Sequence, residues 1–480
     1  LFAQIEIEKK KIAETASPFS NFHNLKSPLY KARIIKDIGE MTMSENTLKN
    51  IVKKQKQHEN VGIYSACSSN PFVIEAVLEK ARDDNAVCLI ESTANQVDQN
   101  GGYSGMTPAD FKAFVLEKAK ETGTDPALIY LGGDHLGPLT VQNLPEKEAM
   151  AYAEQLVHDY VKAGFTKIHI DTSMKVADDD PNVRLSDEII ASRGARLADV
   201  CEKAYQELKK ENPDAVRPVY IVGSEVPIPG GAISEDAGMQ VTRVQDFKDT
   251  VAAFEKAFKE RGLDDTWNDV IGVVVQPGVE EKDAGCTEYD REKAKELMAS
   301  IDDFDQLVFE GHSTDYQTKY KLRELIEDGV GILKVGPALT YAAREALFAL
   351  AYIEDMQLHG RDDEKSNFIQ VLEEAMLENP KNWAKHYHGN EDELWFKRKF
   401  SFSDRSRYYM PDEKVQKAME KMFANLRKEG ISLAALSQFM PIQYTKVREG
   451  TLQNDPAELV KDRVKNTIDE YLFATQQQNL

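Results

Sequence analysis

The sequence predicts a (β/α)8 barrel followed by an α-helical region. Three observations lead there. Eight short apolar or β-branched runs recur between residues 61 and 339. Each is followed by an amphipathic helical stretch, and such alternation means parallel crossover units. Eight units in about 280 residues match the count and size of that fold. An open doubly wound sheet would normally carry a Gly-rich turn after its first strand, and SACSSNP has no glycine.

The expected strands, in order, are VGIYSAC (61–67), AVCLIEST (86–93), ALIYLGGDH (127–135), KIHIDTSM (167–174), VYIVGSEV (219–226), VIGVVVQPG (270–278), QLVFEGHS (306–313) and GILKVGPAL (331–339). Near-continuous apolar runs suit strands buried on both faces. The helices begin with PFVIEAVLEKARDD and PADFKAFVLEKAKETG and close with AAREALFALAYIEDM. Residues 1–45 form a polar N-terminal extension, 46–360 the barrel, and 361–480 a helical appendage expected to pack on it.

Lys plus Arg number 60 and Asp plus Glu 81, a net charge of −21. That balance argues against nucleic-acid binding, which needs clustered cations, and against attraction to anionic membranes. No run approaches the length of a membrane span and no signal peptide is visible. Four cysteines without a CxxC pair read as free thiols. A cytoplasmic protein is expected, with a homo-oligomer as the prior on assembly.

Polar residues gather at the carboxyl ends of the runs, where barrel enzymes keep their active sites. His135, Glu225, Gln276 and His312 are the candidate metal ligands. Two imidazoles, a carboxylate and an amide oxygen suit Zn²⁺, Ni²⁺, Mn²⁺ or Co²⁺. His169 sits mid-strand and is a weaker candidate; His386 and His388 lie in a Trp- and Tyr-rich loop that could cover the mouth. Asp134, with Asp171 as the alternative, is the candidate for moving a substrate hydroxyl proton beside the cation. Ser68, Ser92, Asn95, Gln96, Asp98 and Gly102, at the first strand end and in the long second loop, are candidate sugar-binding residues. Ser313, Lys334 and Gly336 mark where a phosphate would sit. The stretch VPIPGGA (226–232) reads as a mobile lid.

IYSACSSNP, IESTANQVDQNGGYSGMTPADF, LGGDHLGP, AGFTKIHIDTSM, VGSEVPIPGGA, EGHSTDYQ, LKVGPALTYAAREALF and FSDRSRYY, spread over roughly residues 50–440, resemble the class II tagatose-bisphosphate aldolase subunit family of the GatZ/KbaZ type. The resemblance implies a class II aldolase barrel. It also implies either a non-catalytic subunit supporting a separate aldolase chain, or a metal-dependent ketose 4-epimerase acting on fructose and tagatose or their phosphates. Class II aldolases hold zinc with three histidines and place an aspartate before the first. Asp134-His135 matches that pair and His312 the last histidine, while Gln276 stands where the middle one is expected. Glu225 resembles an acidic position that also reaches the metal, helping to hold it during catalysis. The expected activity is therefore epimerisation at C4, by retro-aldol and aldol steps or, as the competing chemistry, by proton abstraction at carbon with redelivery, and ordinary aldolase activity is disfavoured.

Overall fold

This computed structural model describes residues 46–224 and 240–480. Glu225, the VPIPGGA stretch and residues 1–45 lie outside the described residues. Eight parallel strands close into the predicted barrel: β1 (Ile63–Cys67), β2 (Cys88–Thr93), β3 (Ile129–Leu136), β4 (Lys167–Ile170), β5 (Val219–Val222), β6 (Val270–Val275), β9 (Val308–Gly311) and β10 (Val330–Val335), which returns to β1. Between β6 and β9 lies a hairpin, β7 (Glu280–Lys282) and β8 (Gly285–Thr287), that the sequence pattern did not reveal. Its strands are three residues each, too short for a readable alternation.

The helices between the strands start where local chemistry dictates. In α2 (Pro71–Asp84) the Asn70 side chain accepts from the amides of Phe72 and Val73, and Asn85 ends the helix in the left-handed region. In α3 (Pro108–Thr122) Thr107 and Asp110 form a capping box, with Pro108 in the first turn. The helix α1 (Lys49–Lys56) precedes β1, and α4 (Glu146–Ala163), α5 (Asp187–Glu211) and α6 (Val244–Glu260) continue the ring. It is completed by the short α7 (Asp264–Trp267), α8 (Arg291–Ala299), α9 (Lys319–Glu327) and α10 (Pro337–Gln357).

The barrel interior changes character along its axis, because every second strand residue points inward. Its lower part is aliphatic: Ile63, Leu89, Ile221, Val274, Val308 and Ile332 cluster there, packed with Leu48 and Ile51 at α1. Two residues further along β2, β9 and β10 the inward positions become Glu91, Glu310 and Lys334, and Lys167 at the start of β4 joins them. The outward faces pack on the helices in a second, larger core.

Six helices follow: α11 (Phe368–Glu378), α12 (Glu391–Phe400), α13 (Glu413–Glu429), α14 (Leu433–Phe439), α15 (Pro441–Glu449) and α16 (Pro456–Thr475). The last packs against α2, α9 and α10. Buried Lys461 on α16 pairs with Glu79 on α2 at 2.6 Å. The chain end then bonds the barrel floor: Gln477 accepts from the Tyr64 amide at 3.2 Å and donates to the Val87 carbonyl at 2.7 Å. No described helix is long and apolar enough to cross a membrane.

Candidate active site at the barrel mouth

A cavity opens at the carboxyl ends of the strands. Of the residues expected from sequence, Asn95, Gln96, Asp134, His135, His312, Ser313, Lys334 and Gly336 line it. Neighbouring Asp134 and His135 both face inward because β3 is irregular between Gly133 and Leu136 and His135 takes a positive φ of 49°. Such a bulge re-aims side chains that would otherwise alternate. Gly132, one turn of the pleat earlier, makes room for Glu91: a Cβ there would stand 2.5 Å from Glu91 Oε1.

Three imidazoles converge. The ring centroids of His135, His169 and His312 lie 5.1–5.2 Å from one another. His169, from the middle of β4, completes the trio; its strand position gave the face but not the neighbours. Each ring is oriented by a carboxylate. His135 Nδ1 meets Asp171 Oδ2 at 2.8 Å and His312 Nε2 meets Glu310 Oε1 at 2.9 Å. His169 Nδ1 stands 2.8 Å from Asp134 Oδ1 and 3.2 Å from the His135 amide. The shorter, charge-assisted contact makes Nδ1 the donor to Asp134. That leaves His169 Nε2 with its lone pair free, fully buried and without a hydrogen-bond partner.

Beneath the imidazoles lies a layer of buried ions. Lys167, wholly buried, stands 2.6 Å from both Glu91 and Glu310. Lys334 closely contacts Glu91 and lies 3.0 Å from Asp134. Four carboxylates (Glu91, Asp134, Asp171, Glu310) thus face two ammoniums (Lys167, Lys334), leaving −2 when the imidazoles are neutral. Burial opposes ionisation of Asp134, but His135, the His169 hydrogen bond and His312 overcome it and hold its carboxyl well below the usual range. Burial likewise opposes Asp171 and Glu310, yet hydrogen bonding to His135 and the charge of Lys167, respectively, bring each to about 2. Burial would lower His135, but Asp134 and Asp171 raise it to about 9. Burial lowers His312 despite Glu310. The cluster therefore draws positive charge, as a proton on His135 or as a cation.

A divalent metal fits this donor set. It would neutralise the −2 and occupy the lone pair left on His169, at the ~2.0–2.1 Å of a metal–imidazole bond. The carboxylates behind the rings are the outer partners that metal-binding histidines usually have. Asp134, His169, Glu310 and His312 also offer donor atoms within 4.8 Å of one another.

Other expected residues are engaged elsewhere. Gln276 accepts from the amides of Gly278 and Val279 at 2.7 and 2.9 Å and does not line the cavity. Ser92 bonds Tyr160 on α4, Ser68 accepts from the Asn70 amide, and Asp98 holds its own loop through the amides of Asn100 and Gly102. Asp171 orients His135 from behind, out of the cavity lining. Glu281, Tyr103, Arg407 and Tyr408 line the cavity without having been expected there. The last two belong to FSDRSRYY, nearly seventy residues beyond the barrel's final strand.

The D-tagatose-1,6-bisphosphate aldolase subunit GatZ/KbaZ-like family model matches residues 48–476. Among solved structures the chain is similar to a probable tagatose 6 phosphate kinase from Sinorhizobium meliloti 1021, with 42% identity, 86% of this chain and 100% of that one covered, and a TM-score of 0.78. It is also similar to a fructose-bisphosphate aldolase from Campylobacter jejuni, with 16% identity, 82% and 95% covered, and a TM-score of 0.40. With a family match spanning nearly the whole described barrel and its helical extension, this chain belongs to the D-tagatose-1,6-bisphosphate aldolase subunit GatZ/KbaZ-like family.

Proposed function

We propose that the chain is a metal-dependent ketose 4-epimerase of the cytoplasm, interconverting fructose- and tagatose-type sugars, free or phosphorylated. The observation that carries this reading is the buried trio of His135, His169 and His312, backed by carboxylates and, with the imidazoles neutral, short of two positive charges. A scaffold gains nothing from such a cluster, since burying unpaired charge is costly. His135, His169 and His312 would hold Zn²⁺, Ni²⁺, Mn²⁺ or Co²⁺, with Glu225 as the candidate carboxylate ligand; Gln276 would have to release its backbone partners to join them. When bound, the cation supplies Lewis-acid stabilisation of negative charge on substrate oxygens.

Asp134 is the candidate base. It is kept ionised, lines the cavity, and has Lys334 beside it to stabilise the charge it passes on. It takes the proton of the C4 hydroxyl. The C3–C4 electron pair moves onto the C2–C3 fragment as an enediolate, and C4 becomes an aldehyde carbon. The aldehyde turns over, the bond re-forms on its other face, and Asp134 returns the proton to the C4 oxygen. Asn95, Gln96 and Ser313 line the same cavity and suit sugar hydroxyls.

The family description favours a second reading, a non-catalytic subunit that stabilises a separate class II aldolase chain. One experiment separates the two. The purified chain is assayed for bound metal and then incubated alone with fructose and tagatose, each free and phosphorylated. Interconversion that chelation abolishes and a divalent cation restores is expected, and His135→Ala, His169→Ala and His312→Ala should each lower metal content. A metal-loaded chain that converts none of the four sugars would leave the subunit reading.

A further inference from the structure

Resting on the ketose reading above, we propose that Arg407 forms an anion subsite in the mouth, selecting ketoses that carry a terminal phosphate or carboxylate. The positions where sequence placed a phosphate are already committed. Lys334 is ion-paired with Glu91 and Asp134. The amides of Gly336 and Ala338, at the start of α10, donate to Asp315 Oδ1 at 3.0 and 2.8 Å. A substrate anion there would meet a carboxylate.

Arg407 is different. It lines the cavity with His135 and His312, and makes no ion pair among the described residues. Its guanidinium donates to the carbonyls of Ser403 and Asp404 and, at 3.1 Å, to the Tyr408 hydroxyl, all neutral acceptors. These bonds orient the fork without neutralising it. The acids nearby make no ion pair with it among the described residues: Asp404 accepts from Thr340 and Ser406, Asp315 accepts from the α10 amides, and Glu281 lines the same cavity. A second guanidinium, Arg405, lies in the same short segment against His386, whose imidazole is held down to about 4 by burial and by Arg405 and Arg407. A guanidinium bonded only to neutral acceptors at the cavity wall can take an anion, and its planar fork suits the paired oxygens of phosphate or carboxylate.

The segment is built to hold that position. Phe402 stacks on Tyr316 at 4.2 Å, Ser401 donates to Asp283 beside β7, and Tyr408 packs edge-on against Tyr103 of the second βα loop at 4.8 Å. The C-terminal region thus supplies a wall of the barrel's cavity and, in this proposal, its specificity.

The test is titration calorimetry on the full metal-loaded chain with three probes: a neutral ketohexose, its terminal phosphate, and the matching ketohexuronate. At least one anionic sugar should bind ~10-fold or more tighter than the neutral one, and Arg407→Gln should erase ~10- to 100-fold of that preference, as loss of a charged hydrogen bond implies. Arg407→Lys, which keeps the charge but not the fork, should retain part of it; thermal melts check that both variants fold. The anion more affected by Arg407→Gln identifies the source. Equal binding of all three sugars by the parent chain, or equal weakening of neutral and anionic sugars by Arg407→Gln, would overturn the subsite. Because the readout is binding, an Arg407-dependent preference without turnover would count against the epimerase and not the subsite, and turnover without preference the reverse.

Discussion

Lys167→Met is the perturbation that tests the ionic layer most directly. Lys167 is wholly buried and stands 2.6 Å from two wholly buried carboxylates, Glu91 and Glu310. Methionine has similar length and no charge. After the change Glu91 still has Lys334, but Glu310 has only His312. With the imidazoles neutral, the deficit of the cluster grows from −2 to −3 among buried groups. Removing one partner of a buried ion pair typically costs ~3–5 kcal/mol, because the other charge is stranded. A loss of that order is expected in urea unfolding of the metal-free chain. Glu310 also orients His312, so metal affinity should fall ~10- to 100-fold, the usual effect of losing an outer partner of a ligand. Adding Glu310→Gln should restore part of the stability by removing the stranded charge, while the weak metal binding persists. A Lys167→Met chain within ~1 kcal/mol of the parent would refute the claim that this lysine compensates two buried carboxylates.

Asp134→Asn retains an oxygen to accept from His169, so metal and ketose binding should be nearly kept while turnover falls ~10²- to 10⁴-fold, measured by steady-state rates beside metal content; a parental rate would remove Asp134 as the base. Asp315 supplies a pH test. Burial, then the charge of Glu281, raises its carboxyl to about 7, against ~3.9 in an unfolded chain. The folded state therefore holds a proton that the unfolded state has released. The associated stability is full below pH ~4 and is lost as pH rises through about 7. Asp315→Asn still accepts from Gly336 and Ala338 but cannot titrate, so thermal melts between pH 5 and 8 should lose that part of their slope; unchanged slopes would show that Asp315 is ionised throughout.

The amino-acid sequence by itself determined the barrel. Buried parallel strands and amphipathic crossovers are written in local hydrophobic periodicity, and eight such units close only one way at this length. It also determined that chemistry collects at one mouth, and it put Asp134, His135, His312 and Lys334 there. Tertiary structure decided who meets whom. His169 was legible as an inward-facing residue of its strand, but alternation within a strand says nothing of what stands across the barrel; closure brings it within 5.2 Å of His135 and His312. The same holds for Lys167, which joins Glu91 of one strand to Glu310 of another. Gln276 looked like a ligand by position, yet its amide oxygen caps its own turn, a choice made by loop geometry. The positive φ at His135 that turns two consecutive side chains inward belongs to a non-glycine residue and leaves no mark in the sequence. Arg407 is the clearest case: its contribution to the cavity depends on how a distant helical region docks, because a side chain's charge is local while the place it is needed is set by packing.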